Sequence, residues 1–296
     1  MNAPALMNPS LVSEALKPPS DSQKTALVKL LADEDTTVYH LVRGKILSYG
    51  PQVSSWLRPH TLSSEPVLRR RAQEIIQHLS RHEADTQFVG FCLSHGDDLD
   101  LEQGAWLLAR TQYPDINISA YQALLDSFAA DLREKLAGEE RTISLLAIVN
   151  EYLFSELGFA GNQENYYDPE NSYLNRVIDR RSGNPISLST VFWLLARRLK
   201  LPVVGIGMPG HFLCRYQSST DAIYIDPFNR GKILTRADCV KYLQQTSHGF
   251  QESFLAPVSM GGTLLRTCTN LHKIYSQLDL KDEAGRFQRY LVALSK

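Results

Sequence analysis

The sequence predicts an α+β protein: a helical first half, a core in which one apolar helix is followed by short strands, and a helical pair near its end. Three observations carry this. Between residues 22 and 136 apolar side chains recur at helical spacing, separated by polar joints bearing Pro or Gly. From Val191 to Ala196 the chain is apolar on every side, which exceeds the one-sided stripe of a surface helix and marks a helix buried inside a domain. Three short β-branched or aromatic runs follow it, Val203–Gly207, His211–Tyr216 and Ala222–Asp226.

Composition narrows the function classes. With 296 residues the chain is long enough for two domains or more, and 43% hydrophobic with 9% aromatic residues describes a globular protein. A net charge of -1 exerts no long-range pull on nucleic acid or an anionic membrane. The clusters Arg69-Arg70-Arg71, Arg180-Arg181 and Arg197-Arg198 are short enough to be solvated helix faces, so neither nucleic acid nor membrane is expected as a partner. Cys92, Cys214, Cys239 and Cys268 are scattered without CxxC pairing, which argues against a zinc site or disulfide framework and suits a reducing compartment. The N-terminal segment has neither a basic n-region nor an apolar h-region, so residues 1–21 are expected to be a mobile leader and the protein cytoplasmic. No cofactor is implied, and His211, Asp226 and Asp168 are too thin a set for a metal.

The first elements are helices: Gln23–Leu31, Asp35–Tyr49 ending at Gly50-Pro51, Glu65–Ser80, Asp100–Arg110 after Gly96-Asp97-Asp98, and Ser119–Leu136. They come in pairs, and Leu30 to Asp35 followed by a Val-bearing helix looks like one turn of an armadillo or HEAT-type solenoid, giving a helical domain over 22–138. The core is set at 139–260, opening with a helix over Thr142–Leu157. A C-terminal antiparallel pair, Thr263–Leu278 and Lys281–Leu294, occupies 261–296.

Between the core's first helix and its central one runs an unusual loop. Asn162, Asn165, Tyr166, Tyr167, Asp168, Asn171 and Tyr173 make it too polar for core and too aromatic for a linker. Such loops cover sites, with Tyr and Asn supplying specific hydrogen bonds. They are also held by Asn and Asp side chains that cap turns and helix starts, here with Asn171 or Ser172 opening a helix to Asp179. Asn184 is a good N-cap for the central helix, Pro185 fits its first position, and Lys200-Leu201-Pro202 marks its stop. Beyond it, Pro209-Gly210 turns the chain into His211. A hairpin centred on Ser218-Ser219 would set His211 opposite Asp226, where a carboxylate fixes an imidazole's tautomer; the same pair is also an ordinary polar contact at a strand exit.

Three stretches, LGFAGNQENYYDPENSYLNRVIDRRSGNPISLSTVFWLLARRL, MPGHFLCRY and YIDPFNRGKILTRADC, closely resemble the SirB-one type of bacterial transglutaminase-like proteins, a second transglutaminase-like core family within the papain/transglutaminase superfamily. The resemblance implies a central helix packed on an antiparallel sheet, a helical region before it and a tetratricopeptide-like tail. It also implies roles. In active relatives a Cys at the start of the central helix attacks an acyl group, a His on the next strand takes its proton and an Asp orients the His. His211 and Asp226 match the last two positions. The first falls at or near Pro185 to Ser187, where no cysteine lies.

Two functions follow from different classes. One is a non-catalytic or cryptic-activity regulator that keeps the cleft for a peptide or protein segment, read by Asn162, Asn165, Tyr166, Asp168, Asn171 and Asn184. The other is amide acyl transfer or hydrolysis by His211 and Asp226, with Ser187 or an activated water attacking. Ser187 is equally at home as first-turn helix chemistry.

Overall fold

The computed structural model describes residues 18–95, 99–217 and 222–296. The expected leader over 1–21 lies mostly outside the described residues, as do Gly96-Asp97-Asp98 and the hairpin centre Ser218-Ser219. The chain forms two compact units, residues 1–83 and 84–296.

In the first unit, α1 (Asp21–Leu31) starts at Ser20, whose hydroxyl accepts from the Gln23 backbone while the Gln23 side chain accepts from the Ser20 N–H. Asp35 caps α2 (Thr36–Leu47), and α3 (Val53–Leu57) leads through a 3₁₀ turn into α4 (Pro66–His95). Leu31, Ile46, Val53, Leu57, Ala72 and Ile75 close over one another as its core. Arg71 is buried beside them and donates to the carbonyls of Leu31 and Asp33, which ties off the end of α1.

In the second unit, α5 (Leu101–Gln112) and α6 (Ile118–Lys135) are capped by Asp100 and Asn117, and α7 (Thr142–Asn150) continues into a π-helical turn over Glu151–Glu156. A loop then leaves through β1 (Ala160–Gly161) and returns through α8 (Leu174–Arg180) and β2 (Ser182–Gly183). β1 and β2 pair in parallel, so the loop is pinned at both ends.

The central helix α9 (Pro185–Arg198) is buried from Pro185 through Ala196. Burying Val191, Phe192, Leu194 and Leu195 stabilises the unit by roughly 1.5–3 kcal/mol each. After it come β3 (Val203–Ile206), β4 (Leu213–Gln217), β5 (Ala222–Asp226), β6 (Lys232–Leu234), α10 (Arg236–Gln244) and β7 (Pro257–Val258). The strands form one antiparallel sheet in the order β6-β5-β4-β3-β7. Alternation along it is plain. Cys214 and Ile225 join the core around α9, while Leu213 and Tyr224 join Cys239 and Leu243 of α10 on the opposite face. The helices α11 (Met260–Gln277) and α12 (Lys281–Leu294) pack through Leu271, Tyr275, Phe287 and Tyr290.

The two compact units meet at 83/84, within α4. The reason is packing: Leu101, Trp106, Leu125 and Phe128 share one core with Trp193 and Leu195 of α9, so α5 and α6 belong with the sheet. α11 contributes Leu264 and Cys268 to the core that takes Leu108 of α5 and Tyr173. Among the described residues no helix is long and apolar enough to cross a membrane.

Candidate functional site

His211 stands outside the hairpin ladder. The register pairs Cys214 with Ile225 and Gln217 with Ala222, so Leu213, two residues further on than expected, lines up with Asp226. A two-residue shift keeps side chains on the same face, so the pairing survives diagonally. The turn before it explains the shift. Gly210, at φ +73, takes a left-handed conformation natural to glycine, the His211 N–H reaches back to the Met208 carbonyl, and the strand starts only at Leu213.

His211 Nε2 lies 2.8 Å from Asp226 Oδ2. Asp226 also caps the turn over Pro227–Asn229: the Asn229 amide donates to Oδ2 at 2.7 Å and its backbone N–H to Oδ1 at 3.2 Å. Burial, the largest single influence on this carboxyl, would raise its pKa, but the hydrogen bonds and charge of His211 with those of Asn229 outweigh it and hold it below the usual range. An ionised Asp226 only accepts, so Nε2 carries the proton and Nδ1 is the nitrogen left for chemistry. The imidazole meets the rings of Phe228 and Tyr242, each with centroids 6.1 Å away.

A cleft of about 330 Å³ opens beside His211. Tyr166 and Tyr167 of the loop form one wall, Asn184, Pro185 and Ile186 at the start of α9 a second, and Arg266, Thr269, Asn270 and Lys273 of α11 a third. A second cleft of about 630 Å³ lies on the other side of the imidazole, lined by Asp226, Phe228, Lys232, Lys241 and Tyr242 among others. His211 belongs to both. Arg266 steadies the junction by donating to the carbonyls of Met208 and His211, the latter at 2.9 Å.

Of the polar loop residues, Tyr166 and Tyr167 reach the cleft, and the Asn and Asp side chains build the loop. The Asn171 amide donates to the carbonyls of Asn165 and Tyr166, and its Oδ1 accepts from Asn162. Asn162 in turn accepts from the Asn165 backbone, while Asp168 caps Glu170 and pairs with Arg180 at 2.8 Å. Asn184 caps α9 through the N–H groups of Ile186 and Ser187 and donates to Ser172. Of the residues expected to read a segment in the cleft, Tyr166 and Asn184 line it, whereas Asn162, Asn165, Asp168 and Asn171 do not, because their polar atoms hold the turn that presents Tyr166.

Ser187 is also accounted for by the helix start. Its hydroxyl donates to the Asn171 carbonyl at 2.6 Å and accepts from the Asn184 N–H at 3.0 Å, so the residue completes a capping box and points away from the His211 cleft. The residues of α9 that do line the cleft are Pro185, which has neither a nucleophilic side chain nor an N–H, and Ile186, whose side chain is a hydrocarbon and whose N–H is taken by Asn184 Oδ1. All four cysteines are buried, which pushes the Cys92 thiol up to about 12 and Cys239 to about 11, and raises Cys214 and Cys268 as well. Cys214 donates to the Ser189 carbonyl at 3.4 Å on the α9 side of the sheet. Among the described residues no group of three or more His, Cys, Asp or Glu side chains is placed to hold a metal.

Sequence reading did not single out Phe228, Asn229, Tyr242, Arg266 or Lys273. The last two had a visible signal: 266, 269, 270 and 273 recur at spacings of three and four, a polar stripe on an otherwise amphipathic helix.

Residues 119–269 match the family model of the transglutaminase-like superfamily. The chain is 38% identical over 200 residues to a UPF0162 protein of Xylella fastidiosa, covering 64% of this chain and 70% of that protein. To a UPF0162 protein of Pseudomonas aeruginosa it is 30% identical, covering 62% and 68%. It is likewise 30% identical to the human F-box only protein 21, over 57% of this chain but 32% of that protein. No solved structure matches it.

Proposed function

The chain belongs to the transglutaminase-like superfamily, and from that premise we propose that it is a non-catalytic member whose His211 cleft holds a segment of a peptide or protein partner. One observation carries the reading: Pro185 occupies the cleft at the helix start, where an acyl-transferring relative needs its nucleophile. The committed hydroxyl of Ser187 and the buried thiols support it. So does the amount of open surface, since the two clefts share His211 and a further one beside Gly161 and Asn162 shares Phe228 and Asn229 with the second, room that suits an extended chain.

The test joins binding to chemistry. Peptides selected from a random display library are expected to bind the full chain and to lose about tenfold or more in affinity when Tyr166 and Tyr167 are both replaced by Ala. Incorporation of a fluorescent amine into casein is expected to stay at background. Incorporation that disappears in His211→Ala would overturn the proposal.

A second reading rests on the 2.8 Å His211–Asp226 contact itself. Nδ1 of a carboxylate-held imidazole can take a proton from water, giving an amide hydrolase without a covalent intermediate. Amide hydrolysis lost in both His211→Ala and Asp226→Ala, with the fold intact, would favour it.

A further inference from the structure

Resting on the reading of this cleft as a peptide groove, we propose that its occupant is an acidic segment, with Asp or Glu side chains meeting Arg266 and Lys273 of α11.

The cleft lining holds one imidazole, one guanidinium and one ammonium, and no carboxylate. Several arginines of the same unit have carboxylate partners, Arg176 with Glu170, Arg180 with Asp168, Arg197 with Asp100 and Arg198 with Glu102, while Arg215 and Arg286 donate to main-chain carbonyls inside the fold and line neither cleft. Arg266 and Lys273 enter no ion pair among the described residues. Arg266 is half-buried, donates only to main-chain carbonyls and lies over the Phe212 ring, so its charge is desolvated without a counter-ion. Burial lowers its pKa accordingly, opposed only by the Tyr166 and Tyr242 hydroxyls. A carboxylate entering the cleft would restore what desolvation removes, and a guanidinium is suited to grip it.

Spacing adds to charge. Arg266 and Lys273 are two helical turns apart on one face of α11, about 10 Å along the axis, the span of about three residues of extended chain. Across from them Tyr166, Tyr167, Pro185 and Ile186 offer apolar and aromatic surface for the residues between the acids.

The experiment is selection of a random-peptide display library on the full chain, followed by fluorescence anisotropy on the selected sequences made with amidated C-termini. Selected peptides are expected to be rich in Asp and Glu, to weaken with added salt, and to lose about tenfold or more in affinity against Lys273→Glu. Lys273 is exposed, so this variant keeps its fold; Arg266→Lys, which retains charge but not the fork, is expected to weaken binding less. Selection of acid-poor peptides that still depend on Tyr166 and Tyr167 overturns the acidic occupant and leaves the groove. Acidic peptides indifferent to Lys273→Glu overturn the placement on α11. No selection at all overturns the groove together with its occupant.

Discussion

Asp226 accepts from His211 Nε2 at 2.8 Å while its carboxylate also takes both the side-chain and backbone N–H of Asn229. Three donors converge on a side chain that is 5% exposed. The carboxylate is thus held ionised at the end of β5, and the imidazole's orientation is set by the strand exit.

That arrangement makes stability depend on pH in a defined window. The folded pKa of Asp226 lies below its unfolded value of about 3.9, so its contribution is complete above about pH 4 and is lost as pH falls through the lower folded value. Replacing Asp226 with Asn is expected to cost about 1–3 kcal/mol at neutral pH, because the charge-assisted bonds weaken inside a buried site. Urea unfolding of both proteins from pH 7 to pH 3 reads this out: the gap stays constant down to about pH 4 and narrows below it. A gap independent of pH would show that Asp226 acts by shape alone.

Much of this was written in local sequence. The all-round apolar run in α9, the Asn184 cap and the Pro185 start name the central helix without reference to anything distant, and the lengths of the β runs name the strands. The register was not legible, since it depends on where a Pro-Gly turn releases the chain, and that turn is held by Arg266 from α11, 55 residues beyond His211. The loop's asparagines were legible as special but not by task, because capping and ligand contact use the same side chains. The 83/84 division was hidden for a similar reason: helices read alike whether they pack on one another or on a sheet.

Ser187 gives a second prediction. Ser187→Ala removes a hydroxyl that serves two partners at the start of α9, and a loss of about 1–2 kcal/mol in stability is expected. Fluorophosphonate labelling of the wild type is expected to be absent, and peptide binding in the cleft unchanged by the variant at temperatures where it stays folded. Labelling at Ser187 that needs His211 would restore it as a nucleophile.

The thiols supply a third. With Cys92, Cys214, Cys239 and Cys268 all buried and their pKa values raised, a thiol-reactive dye at pH 8 is expected to leave the native protein nearly unlabelled and to modify four thiols after unfolding in urea. One fast thiol in the native protein would mark a reactive cysteine and reopen covalent catalysis.

Gly161 tests how the loop supports the imidazole. A Cβ at this position would fall 2.6 Å from both the ring and the carbonyl oxygen of Phe228, a backbone contact that no rotamer change relieves. Phe228 packs edge-on to His211 and to Tyr166, with ring centroids 6.1 and 5.8 Å away, so it links the dyad to the tyrosine wall. Gly161→Ala therefore has to displace β1 or the turn after Asp226, at an expected cost of about 1–3 kcal/mol, typical of overpacking. The imidazole resonances of His211 should move with it, whereas Gly285→Ala on α12, where an added Cβ meets open space, should leave those resonances nearly unchanged and raise stability by up to about 1 kcal/mol through helix propensity. Equal behaviour of the two variants would mean that β1 yields freely and that the loop does not brace the His211 site.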